Sequence, residues 1–325
     1  MTTTTGAAAG LARGVLAGDV LAIARMISRV ERRGLDAADD MAELYRAGGR
    51  ARVIGVTGPA GAGKSTLVAA LGGEFRRRGR TLGIVAVDPT SPYSGGSVLG
   101  DRIRMQSLWD DPEVFIRSMA TRGALGGITR ATADAVAILD AAGKDVVLVE
   151  TVGVGQDEVE IAQAAHSVVV VSAPGLGDDV QALKAGLLET ADVHVVNKAD
   201  REGADRTVAE LRAMLGMSAG DGWRAPVLPT CAESGQGVDE LAAALDRHHD
   251  WLLSSGEIDE RLRLIARHRL KTLLTAFVHE RVDRPMPGSA FETAVEALCR
   301  RTTDPWTAAH ALLEEELSGR SKGRP

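Results

Sequence analysis

The chain has 325 residues, 45% of them hydrophobic, with 38 Lys and Arg against 44 Asp and Glu for a net charge of −6. That length allows one large or two ordinary domains with a well-buried core, and the acidic balance gives no electrostatic case for nucleic acid as the main partner. Cys231 and Cys299 lie far apart with no CxxC and no Cys/His ligand spacing, which argues against a disulfide framework and fits a reducing, cytoplasmic setting.

Met1 to Gly10 is Thr/Ala-rich and reads as a frayed tail rather than a transit peptide. Leu11 to Arg33 reads as one amphipathic helix, because Leu16, Val20, Ile23, Ile27 and Val30 recur on a single helical face. Gly34 stops it, and a short helix over Ala37 to Tyr45 completes a helical N-terminal arm, residues 1–50. From 51 to 250 strands and helices alternate, with strands expected at 52–57, 81–87, 114–118, 145–150, 167–172, 192–196 and 226–230. Helical patterns lie between them at 64–78, 124–142, 178–189, 204–215 and 237–247. Val146 to Val149 and Val168 to Val171 are apolar throughout, as in strands covered on both faces. The expectation is a doubly wound α/β domain on a mostly parallel sheet. From 251 to 325 the β signal disappears. A long basic helix with an apolar stripe through Ile258, Leu262, Ile265, Leu273, Leu274, Phe277 and Val278 ends at Pro285 and Pro287. Helices near 289–301 and 305–317 complete a helical C-terminal domain. No apolar run approaches the roughly 20 residues that span a bilayer, so no membrane partner is expected.

The first expected strand runs into Gly58, Pro59, Ala60, Gly61, Ala62, Gly63, Lys64, Ser65 and Thr66, and these open a helix. This is the phosphate-loop pattern G-x-x-x-x-G-K-[ST] in its required strand–loop–helix context. Glycines let backbone N–H groups turn inward around phosphates, and the helix N-terminus favours their charge. Lys64 is placed to reach the β- and γ-phosphates and Ser65 to bind Mg²⁺. In such sheets ligands sit beyond the carboxyl ends of the strands. Polar or Gly-rich groups gather there: Gly58 to Ser65, Asp88, Glu150 to Gly153, Asn197 to Asp200 and Thr230 to Glu233.

Asn197-Lys198-Ala199-Asp200 resembles the N-K-x-D guanine motif. A carboxylate at Asp200 accepts from both guanine N1–H and N2–H₂, whereas an adenine ring would leave it unpaired at a cost. A capped turn is the competing reading of the tetrapeptide alone. Cys231-Ala232-Glu233 resembles the loop whose Ala backbone N–H meets guanine O6, with Cys231 in the usual Ser position as a small packing residue. Glu150 to Gly153 resembles D-x-x-G, whose Gly N–H meets the γ-phosphate and whose acid holds Mg²⁺ through water. Val154 rather than Gln follows Gly153, with Gln156 further on, so slow unassisted hydrolysis is expected. Asp88 and Asp101, about a dozen residues apart across a Gly/Ser-rich loop, suit a Mg²⁺ shell and a switch; a helix N-cap is the other reading of Asp101. Arg76 to Arg78 reads as a solvated helix end, and His248-His249 as surface or capping histidines.

Together these residues resemble the MeaB/ArgK (MMAA-like) family of methylmalonyl-CoA mutase-associated GTPases. The matching stretches are Gly58 to Thr66, Asp88 to Ser91, Gly100 to Met105, Glu150 to Gln156, Pro174 to Asp178 with Gln181 and Lys184, and Asn197 to Asp200. The arm matches through Gly18-Asp19 and Ile27 to Glu31, and the likeness covers about 11 to 320. It implies a homodimeric GTPase, a G domain between a helical arm and a C-terminal dimerisation domain. It further implies a chaperone for an adenosylcobalamin-dependent acyl-CoA mutase, in which GTP binding and hydrolysis gate cobalamin loading and protect the mutase. Asp88, Asp101 and Glu150 would then carry the Mg²⁺ and switch roles, and the loop from Pro174 would position Lys184. The alternatives are a small-molecule kinase on the same loop, of the arginine or ornithine transport type, a metal-insertion GTPase, and a scaffold with a degenerate site. Asn197-Lys-x-Asp speaks against the kinase, missing Cys/His ligands against metal insertion, and the intact Lys64, Ser65 and carboxylates against the scaffold.

Overall fold

The structure, a computed structural model, describes residues 5–32, 37–88, 105–120, 130–151, 160–175, 189–216, 222–282 and 290–318. All seven expected strands are present: β1 Arg52–Thr57, β2 Leu82–Asp88, β3 Val114–Ala120, β4 Val146–Glu150, β5 Ser167–Ser172, β6 Val193–Val196 and β7 Val227–Pro229. They form one sheet in the order β3-β2-β4-β1-β5-β6-β7. Every pairing is parallel. A parallel sheet needs crossovers that cover its faces, which is why β1, β4, β5 and β6 are buried almost end to end. The chain runs outward from β1 through β2 to β3, returns to β4 beside β1, then continues on the other side. The carboxyl ends of β1 and β4 therefore meet near that reversal, where such folds bind ligands.

Each face carries its own core. On one, helices Lys64–Arg77 (α4) and Val238–Ser255 (α7) close over Ile54, Val56, Leu148, Val169 and Val195, burying Leu67, Leu71, Phe75 and Leu241. On the other, helices Arg130–Ala141 (α5) and Ala204–Gly216 (α6) cover Val53, Val147, Val149 and Val168. The arm adds Ile23, Met26, Ile27 and Leu44 to this second core, so it is docked on the domain rather than detached. Asp140 at the end of α5 accepts the N–H groups of Arg50 and Ala51 at 3.0 and 2.8 Å, and that of Gly49, which fixes the arm's exit into β1.

The single arm helix expected over Leu11 to Arg33 is two, Thr5–Leu16 (α1) and Val20–Glu31 (α2), followed by Ala38–Ala47 (α3). Gly18 takes φ 75°, which ends α1. Asp19 then caps α2, its Oδ1 accepting the Ala22 N–H at 2.7 Å. The apolar period runs through the break, so periodicity alone could not reveal it. The helix expected at 178–189 falls almost wholly outside the described residues, and the one expected at 124–142 is described from Arg130.

The chain divides into two compact units, Met1–Leu270 and Lys271–Pro325. The boundary cuts helix Glu257–Val282 (α8). Its first half is fastened within the first unit: Arg261 meets Asp192 at 2.8 Å, and Arg269 meets the largely buried Asp134 at 3.0 Å while lying over the Tyr45 ring. In the second unit, Pro305 starts helix Pro305–Ser318 (α10) behind Asp304, whose carboxylate accepts the Trp306 and Thr307 N–H groups at 3.0 Å. Helix Ala290–Cys299 (α9) precedes it and has no buried residue.

Candidate functional site

The site is built from the carboxyl ends of β1, β4 and β6. Gly58 leaves β1 at φ 136°, so close to β5 that a Cβ there would lie 2.0 Å from the Val171 carbonyl oxygen. Gly61 and Gly63 also have positive φ, and Gly63 caps α4 in the left-handed region. Only glycine meets these demands without strain. Pro59 is half-buried, Ala60 and Gly61 are exposed, Ala62 is buried and Thr66 is half-buried, so the loop presents its rim to solvent. Lys64 and Ser65 are both buried in the first turn of α4. The Lys64 ammonium donates to the carbonyls of Gly58 and Pro59 at 2.9 and 3.1 Å. Those bonds fold its tip back onto the start of the loop.

Ser65 Oγ donates to Glu150 Oε1 at 2.6 Å. Glu150 is the last residue of β4 and 6% exposed, so strand and loop bring a hydroxyl and a carboxylate together at the floor of the site. Oxygen donors of this kind suit Mg²⁺. Asp88 closes β2, opposite Ala120 of β3 in the ladder. Asp101, Gly153 and Lys184, with Val154 and Gln156, lie outside the described residues.

Asn197 joins three segments. Its Nδ2 donates to the Ala62 carbonyl at 2.9 Å, and its Oδ1 accepts from Ala232 N–H at 3.1 Å and Thr230 Oγ at 3.2 Å. A Cβ on Gly63 would lie 2.4 Å from Asn197 Nδ2, so the glycine makes room for the amide. Lys198 holds φ 58°, uncommon for a residue with a side chain. Its ammonium donates to the Gly61 carbonyl at 2.7 Å. The phosphate loop is thus tied from above by two consecutive residues of one strand-end turn. Asp200 is exposed beyond them, and Ala232 and Cys231 are buried and half-buried on the neighbouring loop, with Glu233 exposed. The sequence assigns the Ala232 N–H to guanine O6, whereas here it donates to Asn197. The Cys231 N–H donates to the Gln236 carbonyl at 3.0 Å, and its own carbonyl accepts the Gly235 N–H at 2.9 Å.

The family comparison meets this geometry directly. A family model described as methylmalonyl Co-A mutase-associated GTPase MeaB matches residues 23–286. The chain belongs to this family. Among similar proteins, one of Pyrococcus abyssi named as a GTPase is 46% identical over 306 residues, covering 93% of this chain and 94% of the relative. A mouse protein named methylmalonic aciduria type A homolog, mitochondrial, is 39% identical over 210 residues, 63% of this chain and 51% of that protein. A crystal structure of an LAO/AO transport system kinase superposes with a TM-score of 0.69 over 97% of this chain and 99% of that one; at 24% identity it speaks to the fold alone. This MeaB-family chain is a P-loop GTPase.

The contacts of several hydroxyls in the MeaB-family site escaped sequence reasoning. Thr230 supports Asn197, and Thr57 and Thr151 hydrogen-bond at 2.8 Å beneath the loop. Their common signal is a hydroxyl at the carboxyl end of an apolar strand, Thr57 in its last position and Thr151 and Thr230 just beyond it, beside a motif residue. At the opposite ends of the strands, His248 is fully buried rather than a surface or capping group. Its Nδ1 lies 2.9 Å from Ser167 Oγ and its Nε2 3.2 Å from Asp192, with Trp223 and Trp251 against the ring. Likewise Arg76 to Arg78 is not a freely solvated end: Arg76 pairs with Asp111, Arg77 with Glu74, and Arg78 with both Glu74 and Asp246. The bonds from Arg78 and Arg77 hold the Glu74 carboxyl below its ordinary range.

Proposed function

We propose that this GTPase is a chaperone for an adenosylcobalamin-dependent acyl-CoA mutase, with methylmalonyl-CoA mutase the leading candidate. GTP binding and hydrolysis gate cobalamin loading and protect the mutase. The single observation that carries the reading is the match of residues 23–286 to a family described by its association with that mutase. The name of the mouse relative, which refers to methylmalonic aciduria, points the same way. In this reading residues 1–50 are the arm, 51–250 the G domain and 251–325 a helical domain through which two copies pair, in the cytoplasm. Among the described residues no helix is long and apolar enough to cross a membrane.

The chemistry assigns tasks to this chain's own groups. Gly58 to Thr66 cradles the phosphates with backbone N–H groups, and Lys64 leaves the Gly58 and Pro59 carbonyls to meet the β- and γ-phosphates. Ser65, Glu150, Asp88 and Asp101 would hold Mg²⁺, which would supply positive charge against the phosphates. Gly153 meets the γ-phosphate, Asp200 and the Asn197–Lys198 turn hold the base, and the Ala232 N–H, which donates to Asn197 in this structure, leaves it to meet the base. Hydrolysis is slow without a partner, because Val154 does not orient water, and Lys184 is repositioned when the partner docks.

Affinity capture from source lysate with a non-hydrolysable GTP analogue tests this. Recovery of an acyl-CoA mutase that accelerates single-turnover GTP hydrolysis is the expected result. Phosphorylation of a small amine without any mutase would overturn it in favour of the transport-kinase reading.

A further inference from the structure

A pair of buried hydroxyls joins the strand ends on the sheet face away from α4. Thr57 closes β1 immediately before Gly58, and Thr151 follows Glu150 at the end of β4. Thr151 Oγ donates to Thr57 Oγ at 2.8 Å, and the two residues are 2% and 0% exposed. Thr151 N–H donates to the Val56 carbonyl at 3.1 Å, so the ladder continues one residue beyond Glu150. Valine has the same shape as threonine without the hydroxyl, and the flanking positions Val53, Val147, Val149, Val168 and Val170 on this face are valine. Burying two hydroxyls where two methyl groups would fit adds nothing to the core, since the hydroxyls must find each other merely to offset their loss of water. What the pair adds is direction: a hydrogen bond has preferred angles, and apolar contact has none.

Successive strand residues point to opposite faces. Thr151 therefore turns to Thr57 while Glu150 turns to the α4 face, where its carboxylate receives Ser65 Oγ at 2.6 Å. A rotation of the β4 end about its axis would break one bond and misdirect the other group. We propose that the Thr57–Thr151 bond is a positioning device: it holds the end of β4 so that Glu150 stays aimed at Ser65 and at the Mg²⁺ they share. This rests on reading Ser65 and Glu150 as Mg²⁺-shell groups.

The test uses the full chain and measures GDP affinity with and without Mg²⁺, with thermal unfolding to establish folding. Thr151→Val should reduce the Mg²⁺-dependent gain in GDP affinity about tenfold, the size of coupling between contacting groups, and leave the Mg²⁺-free affinity within about twofold. Thr151→Ser, which keeps the hydroxyl and loses only the methyl, should restore the gain. Thr57→Val with Thr151→Val leaves no lone buried hydroxyl, so it should fold even where the single variant does not, and should show the same loss. An undiminished gain in both valine variants overturns the proposal. So does a Thr151→Ser variant as impaired as Thr151→Val, which would assign the effect to methyl packing. Glu150→Gln separates the two levels. If it keeps the Mg²⁺-dependent gain, the metal reading of Glu150 fails; if it alone loses the gain, only the positioning inference fails.

Discussion

Asn197 spends its amide on protein groups: Nδ2 goes to the phosphate loop and Oδ1 to the Thr230–Ala232 loop. It is a brace between two loops, and in the proposed reading the discrimination of the base falls to Asp200, which is exposed. Asp200→Asn is expected to weaken GDP on the order of 100-fold, the cost of losing a charge-assisted pair of bonds, and to shift preference to xanthine nucleotides. Competitive titration with GDP, XDP and ADP checks this; unchanged guanine selectivity would remove Asp200 from the base contact. A second residue bears on pH. His166 accepts the Val53 N–H at its Nδ1, 3.1 Å away, and burial, then the neighbouring His249, pushes it down from 6.5 to about 4. The native ring is therefore neutral where the unfolded one takes up a proton. Stability from this group is complete above pH 6.5 and is lost as pH falls from there through about 4, by roughly 3 kcal/mol in full. His166→Asn, which keeps an acceptor for Val53, should flatten the urea-unfolding midpoint over that window; an unchanged slope would clear His166 of the effect. The motif residues were legible singly because backbone-binding loops need fixed residue types. The partners of His166 and His248 were not, since they come from strands and helices distant in sequence.

At the scale of elements, all seven strands were legible. A strand covered on both faces must be apolar throughout, and such runs are hard to mistake once turn residues bound them. The arm was less legible, because one face of α1 and of α2 packs on the same core and the apolar rhythm passes through the turn. Gly18 and Asp19 decide the break, and Gly14 permits the close crossing: a Cβ there would lie 2.7 Å from Ala22 Cβ. Asp19→Ala should lower stability by about 1 kcal/mol through loss of the α2 cap. Urea unfolding followed by circular dichroism reads this, and a change below a few tenths of that size would mean the turn holds without the cap.

For the whole molecule, the second unit leaves Leu274, Phe277, Val278, Phe291 and Trp306 exposed, Trp306 by 87%. Apolar residues in that number on so small a unit mark an interaction surface. The proposed homodimer would cover it. Phe277→Asp should convert the dimer to monomer in sedimentation velocity without lowering GDP affinity; a variant that remains dimeric would move the interface off this helix. Arg261 and Arg269, two helical turns apart, fasten the first half of the same helix to Asp192 and Asp134. Burial raises the Asp134 carboxyl despite Arg269 beside it.

By itself the sequence determined the seven-stranded α/β frame and the phosphate loop, and it singled out the Asn197 to Asp200 turn as the proposed guanine contact. These rest on local rules, the period of a buried strand and the backbone demands of phosphate binding, which act between near neighbours. Only the tertiary structure decided that Asn197 braces the phosphate loop, that Thr57 and Thr151 fix the end of β4, and that His248 is buried with Ser167 and Asp192. Each of those bonds joins residues dozens of positions apart. Their geometry follows from strand order and register, which no local pattern specifies.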